Sequence, residues 1–147
     1  MLSCFGSVCV YVSHLHNFLD TNFTHNKITL DGAAAHMIKP KENVFLNRIS
    51  QEVLAFAYKV WGNDSSIANR IVLEALETIN KTYVTKPVFY AGKSDKRIVG
   101  SLFYILGLKY KCAKTQSEIA RKIGTTEVTI RKGYRSWLKH FLSLSEH

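Results

Sequence analysis

The residues with most to offer chemically lie between positions 114 and 135: Lys114-Thr115-Gln116-Ser117-Glu118-Ile119-Ala120-Arg121-Lys122-Ile123-Gly124-Thr125-Thr126-Glu127-Val128-Thr129-Ile130-Arg131-Lys132-Gly133-Tyr134-Arg135. Their chemistry is recognition, not bond-making. Thr129, Arg131, Lys132 and Arg135 bring hydrogen-bonding groups and positive charge. The spacing predicts a short helix, a sharp turn and a second helix. Thr115 is placed to cap the first helix, with Glu118 three residues on forming a capping box in which each side chain bonds the other's free N–H. Gly124 supplies the left-handed residue that ends a helix cheaply. Thr125 or Thr126 caps the next helix, and Glu127 suits the positive end of its dipole. This is the pattern of a helix-turn-helix whose second helix fits a major groove. An ordinary helix pair with a solvated basic face has the same local pattern.

Catalysis is not written into the chain. There are no paired carboxylates, no Cys–His or Ser–His–Asp arrangement in a supporting context, and no phosphate loop, so the sequence reads as a non-enzyme. Gly92-Lys93-Ser94 resembles the end of such a loop, but Pro87 stands where the motif needs glycine and no strand precedes it. Ser94 is better read as a helix cap. His14, His16 and His25 lack acidic or cysteine partners at ligand spacing, and no metal or other cofactor is expected. Cys4, Cys9 and Cys112 form neither a disulfide framework nor a zinc pair and read as reduced thiols of an intracellular protein.

The elements that must position the motif occupy the preceding residues. Val44, Phe45, Ile49, Val53, Phe56, Ala57 and Val60 recur at helical spacing. Gly62-Asn63-Asp64 separates them from a second stripe, Ile67, Ile71, Ala75, Ile79 and Tyr83, with Asp64 or Ser65 as cap. Lys86-Pro87 breaks that helix. A third helix over residues 95–110 carries Ile98, Val99, Leu102, Phe103, Ile105 and Leu106, apolar on so many sides that it reads as the buried centre of a bundle. In the last helix Val128, Ile130, Tyr134, Trp137, Leu138 and Phe141 are the candidate apolar positions. The expectation is an all-α fold of five helices over residues 41–143, with the helix-turn-helix at 114–141. Residues 1–40 are expected to be a poorly structured arm. Within it, Gly32-Ala33-Ala34-Ala35-His36-Met37 has the character of a junction, Met37 is a candidate true start, and a loosely folded native arm is the third reading.

Charge is distributed unevenly. The chain of 147 residues carries a net charge of +9, with 46% hydrophobic residues, enough for a core without staples. Residues 86–140 hold 13 Lys and Arg against 3 Asp and Glu, whereas residues 37–85 hold 6 against 5. A basic excess around the helix-turn-helix is the footprint of a nucleic-acid partner. No apolar run approaches the ~20 residues that span a bilayer. No amphipathic helix combines a broad basic face with exposed aromatics, so no membrane partner is expected.

Three segments resemble the second cyclin-like repeat of the general transcription initiation factor IIB family, in archaeal or eukaryotic form. Gly92-Lys93-Ser94 with Ile98-Val99-Gly100-Ser101-Leu102-Phe103-Tyr104-Ile105 is similar to the family's central helix. Lys114-Thr115-Gln116-Ser117-Glu118-Ile119-Ala120 resembles the opening of its fourth helix, and Thr126-Glu127-Val128-Thr129-Ile130-Arg131-Lys132-Gly133-Tyr134-Arg135 its recognition helix. The resemblance implies a cyclin-like fold that binds double-stranded promoter DNA upstream of a TATA box, beside the TATA-binding protein, and modulates initiation. Val128 and Arg131 would face base edges, with Thr126, Glu127 and Thr129 beside them. Arginine can donate two hydrogen bonds to guanine, and valine can meet a thymine methyl. Lys114, Thr115, Gln116, Lys132 and Arg135 would meet phosphates, which fix register. For Lys132 and Arg135 the competing reading is solvated surface, and for Val128 it is core packing. Gly133 departs from good helix chemistry by about 1 kcal/mol relative to alanine, through either close packing or relaxed selection. The family's zinc ribbon, linker and first repeat find no counterpart in this sequence, so RNA polymerase recruitment is not expected of it. A transcription factor of this type works in the cytoplasm of an archaeon or the nucleus of a eukaryote. Two further readings are a cyclin-fold docking module that binds protein without DNA, and a stand-alone helix-turn-helix regulator.

Overall fold

In the computed structural model, residues 43–62 and 65–146 are described. The arm over residues 1–40, with Cys4, Cys9, His14, His16 and His25, and the Asp64 cap lie outside them. Among the described residues five α-helices run in order: α1 (Val44–Trp61), α2 (Ser65–Thr85), α3 (Asp95–Lys109), α4 (Gln116–Ile123) and α5 (Glu127–Ser145), with a 3-10 turn at Pro87–Tyr90. No strand occurs among the described residues. The periodicity places α1, whose buried face is Ile49, Val53, Phe56, Ala57, Val60 and Trp61, whereas Val44, counted in the stripe, is exposed at the first residue of the helix. Across from it α2 buries Ala68, Ile71, Val72, Ala75 and Ile79.

The third helix is the axle of the bundle. Nine consecutive or near-consecutive residues, Ile98 to Phe103 and Ile105 to Gly107, are buried, and α3 packs against α1, α2, α4 and α5. A helix buried on all sides needs thin positions where neighbours cross, and its glycines and serine provide them. A Cβ on Gly100 would lie 2.5 Å from Ile130 Cδ1 and 2.6 Å from Ile123 Cδ1. Those two side chains, from α5 and α4, therefore close over the bare backbone of α3. At the same crossing Gly133 of α5 faces Ser101, whose hydroxyl donates to the Arg97 carbonyl of α3. Close packing thus accounts for Gly133.

Hydrogen bonds and ion pairs fix the helix ends. Ser94 caps α3 by accepting from Arg97 N at 3.2 Å, as the sequence led one to expect. The base of α3 is joined to α2 by Lys109 Nζ and Glu74 Oε1, 2.6 Å apart, with the Tyr110 hydroxyl donating to the same carboxylate. Arg48 of α1 holds Asp95 through Nε at 2.7 Å and Nη2 at 3.1 Å. Between α2 and α3, residues 86–94 contain the 3-10 turn that buries Phe89 and Tyr90. Phe89 lies 4.4 Å from the Trp137 ring and 5.1 Å from the His140 ring, so the turn is packed against α5.

Candidate nucleic-acid interface

The turn between α4 and α5 sets the geometry of the candidate interface. Thr115 Oγ1 accepts from Glu118 N at 3.0 Å, which starts α4. The reciprocal arm of the expected capping box is not what forms: the Glu118 carboxylate lies 3.8 Å from Lys114 Nζ and 3.4 Å from Lys122 Nζ. Two nearby ammonium groups attract an ionised carboxylate more strongly than one backbone N–H does. At the other end Gly124 has φ 71° and ψ 51°, and both its own N–H and that of Thr125 reach the Ala120 carbonyl. This left-handed cap ends α4 and turns the chain. Lys96 Nζ, from α3, donates to the Gly124 carbonyl at 2.9 Å and ties the turn to the central helix. Of the two threonines that the sequence offered as the next cap, Thr126 is used, accepting from Thr129 N at 3.2 Å.

The last helix has two unlike sides. Ile130, Gly133, Trp137, His140 and Phe141 are buried. Trp137 Nε1 donates to the Ile98 carbonyl at 3.1 Å, which pins that side to α3. The opposite side exposes Val128, Arg131, Lys132, Arg135, Lys139 and Leu142. These recur at helical spacing, so they form one stripe, about 16 Å long from Val128 to Lys139 at 1.5 Å per residue. Four of the six are cations. Lys139 was not among the sequence candidates, although its place four residues beyond Arg135 was a sufficient signal.

The remaining sequence candidates divide by what they already do. Val128 is 50% exposed, which rules out its core-packing reading. Tyr134 and Leu138, offered as apolar positions, are only partly buried. Arg131 Nη2 lies 2.7 Å from Glu127 Oε1, one helical turn back, with both side chains nearly half exposed. In water such a pair holds its partners weakly. Thr126 and Thr129 share a hydroxyl–hydroxyl bond of 2.9 Å and are engaged at the helix start. Lys132 and Arg135 are exposed on the stripe, and Thr115 and Gln116 stand at the N-terminus of α4. Lys114 is half-buried beside Glu118. Lys122, by contrast, donates to the Val60 carbonyl at 3.0 Å and serves the fold. Among the described residues no group of three or more His, Cys, Asp or Glu is placed to hold a metal. No helix there is long and apolar enough to cross a membrane.

Comparison with known proteins agrees with the all-helical fold. The family model described as "Transcription factor TFIIB repeat" matches residues 48–140, from the first turns of α1 to the last turns of α5. A similar protein is the "Transcription initiation factor IIB" of Aeropyrum pernix, 36% identical over 69 residues, which is 47% of this chain and 21% of that protein. The matched stretch therefore spans about a fifth of that relative's length. No solved structure matches the chain.

Proposed function

The chain belongs to the transcription factor TFIIB repeat family, and from that premise we propose that it binds promoter DNA through α5 and modulates transcription initiation. The observation that carries the reading is the stripe of α5: Val128 and Arg131 lie near the helix start, with Lys132, Arg135 and Lys139 continuing along the same side. Val128 and Arg131 read base edges just upstream of a TATA box, and the TATA-binding protein is the neighbouring partner. Thr126, Glu127 and Thr129 shape the tip of the helix. Glu127 holds the Arg131 guanidinium until DNA is present. An exposed i, i+4 pair is worth only about 0.3–0.5 kcal/mol. A bidentate arginine–guanine contact is worth about 1–3 kcal/mol of discrimination. The exchange therefore favours DNA. Lys114, Thr115, Gln116, Lys132 and Arg135 neutralise or hydrogen-bond phosphates on either side.

The test is selection of bound duplexes from a random pool, with and without a TATA-binding protein, for the wild type and Arg131→Ala. The variant is expected to lose preference at one base position while retaining weaker, strongly salt-dependent binding. An unchanged preference would remove Arg131 from base reading. A second reading, protein docking without DNA, is favoured by exposed apolar groups on α1 and α2. Leu54 and Tyr58 on α1 are 46% and 48% exposed and Leu73 on α2 is 70% exposed, with Tyr58 bonded to Asn69 across the helix pair. Absence of any duplex binding at moderate salt would favour it.

A further inference from the structure

A second group of cations adjoins the α5 stripe and is not used by the reading above. Lys86 precedes the 3-10 turn, Lys93 follows it, and Arg97 stands in the first turn of α3. Arg97 and Lys93 are connected to α5 through hydrogen bonds and ring contacts. Arg97 Nη2 donates to Ser136 Oγ at 3.3 Å, and Ser136 in turn donates to the Lys132 carbonyl at 3.0 Å. Lys93 Nζ lies over the Phe89 ring, 4.5 Å from its centre, and Phe89 packs on Trp137 and His140. Asp95 is the sole acid between positions 86 and 114, and Arg48 already occupies both its oxygens. Among the described residues no carboxylate is paired with Lys86, Lys93 or Arg97, and Arg97 Nε is a buried donor without a partner. Burial holds the Lys93 ammonium below its usual range, and the charges of Arg97 and Lys86 lower it further. Like charges gathered without an acid raise the free energy of the unliganded protein, and an anion relieves it.

We infer that Lys86, Lys93 and Arg97 form a second phosphate track, which grips the DNA backbone along the flank of α5 marked by Lys132 and Ser136. A duplex is the occupant because the track is continuous with the face that enters the groove; the inference rests on that reading. Backbone contacts on a flank fix the angle of the helix and carry no sequence information. Each phosphate neutralised steepens the salt dependence, by about 0.9 in the slope of log affinity against log salt.

The experiment is duplex titration by the full chain between 50 and 200 mM salt, for the wild type, Lys86→Gln and the double variant Lys86→Gln/Lys93→Gln. Arg70→Gln is the control, since Arg70 lies against Tyr110 at the opposite end of α3 from Arg97. The single variant is expected to flatten the slope by about 0.9 and the double by about 1.8. Over that four-fold salt range the double variant would then lose about 12-fold less affinity than the wild type. Base preference stays intact, and Lys86→Arg restores the slope. Lys86 is exposed, so the single variant reports even where loss of Lys93 disturbs the packing on Phe89. An unchanged slope in folded Lys86→Gln, or an equal loss in Arg70→Gln, overturns the track and leaves the α5 reading standing. Absence of duplex binding by the wild type overturns both.

Discussion

Replacing Gly133 by alanine tests the packing that aims α5. In an isolated helix the change is favourable by about 1 kcal/mol, because glycine wastes backbone entropy. Here a Cβ would stand 2.5 Å from the Arg97 carbonyl oxygen and 2.7 Å from Ser101 Cβ, and closer still to the Ser101 hydroxyl. That hydroxyl is already held by the carbonyls of Arg97 and Ile98. Overpacking costs about 1–3 kcal/mol, and the upper end applies because the opposing atom is backbone of the central helix. Set against the propensity gain, the net loss is about 2 kcal/mol, or roughly 8–16 °C in Tm for a unit of this size. Gly100→Ala makes the comparison sharp. Its Cβ would come equally close, 2.5 Å, but to the tip of the Ile130 side chain, which can rotate away. Gly133→Ala should therefore cost more than Gly100→Ala. Urea unfolding with an unchanged m-value is the measurement. The folded remnant of Gly133→Ala should also bind duplex more weakly, since α5 must move off α3 to admit the methyl. A neutral or stabilised Gly133→Ala would refute the argument.

Two further perturbations probe the support of the same helix. Glu74→Ala strands the Lys109 ammonium, whose side chain is only 8% exposed, and should cost about 3–5 kcal/mol. The apolar pair Glu74→Leu/Lys109→Met should cost much less in the same urea titration, and an equal cost would sink the ion-pair account. His140 is 3% exposed, with Thr82 Oγ1 3.3 Å from Nε2, the Phe89 and Trp137 rings around it and Nδ1 without a partner. Burial, and then the Lys86 charge, hold its folded pKa below the ordinary 6.5. Below that value the unfolded chain takes up a proton that the fold resists. Stability should then be full above pH ~6.5 and fall through the window down to the folded pKa, by up to ~1.4 kcal/mol per pH unit. Thermal melts from pH 8 to 5 should show this extra slope in the wild type and not in His140→Leu; identical slopes would contradict it.

What the sequence carried well was local. Helical periodicity located α1, α2 and α3, because a buried stripe repeats with the helix turn whatever covers it. Ser94, Thr115, Gly124 and Thr126 were legible because capping is settled within three or four residues. What it could not carry depends on partners distant along the chain. The role of Gly133 became evident only when Arg97 and Ser101 were seen opposite it. The Glu118 carboxylate chose two lysines over the N–H that the capping box offered.

The charge count shows the same division and bears directly on function. Counted along residues 86–140, the basic excess looks like one broad surface for DNA. In space several of those cations serve the fold: Lys96 holds the Gly124 carbonyl, Lys109 the Glu74 carboxylate and Lys122 the Val60 carbonyl. The exposed cations Arg131, Lys132, Arg135 and Lys139 on α5 form a narrow stripe, with Arg97 bonded to Ser136 at its flank. A diffuse basic surface would bind any polyanion and fix no orientation. A narrow stripe with a half-exposed valine near its start, mounted on a helix pinned by Trp137 and Gly133, can fix both. The same net charge thus implies different behaviour depending on how much of it the fold consumes. Neutralising Lys96 or Lys122 should act on stability, and neutralising Lys132 or Arg135 on DNA affinity.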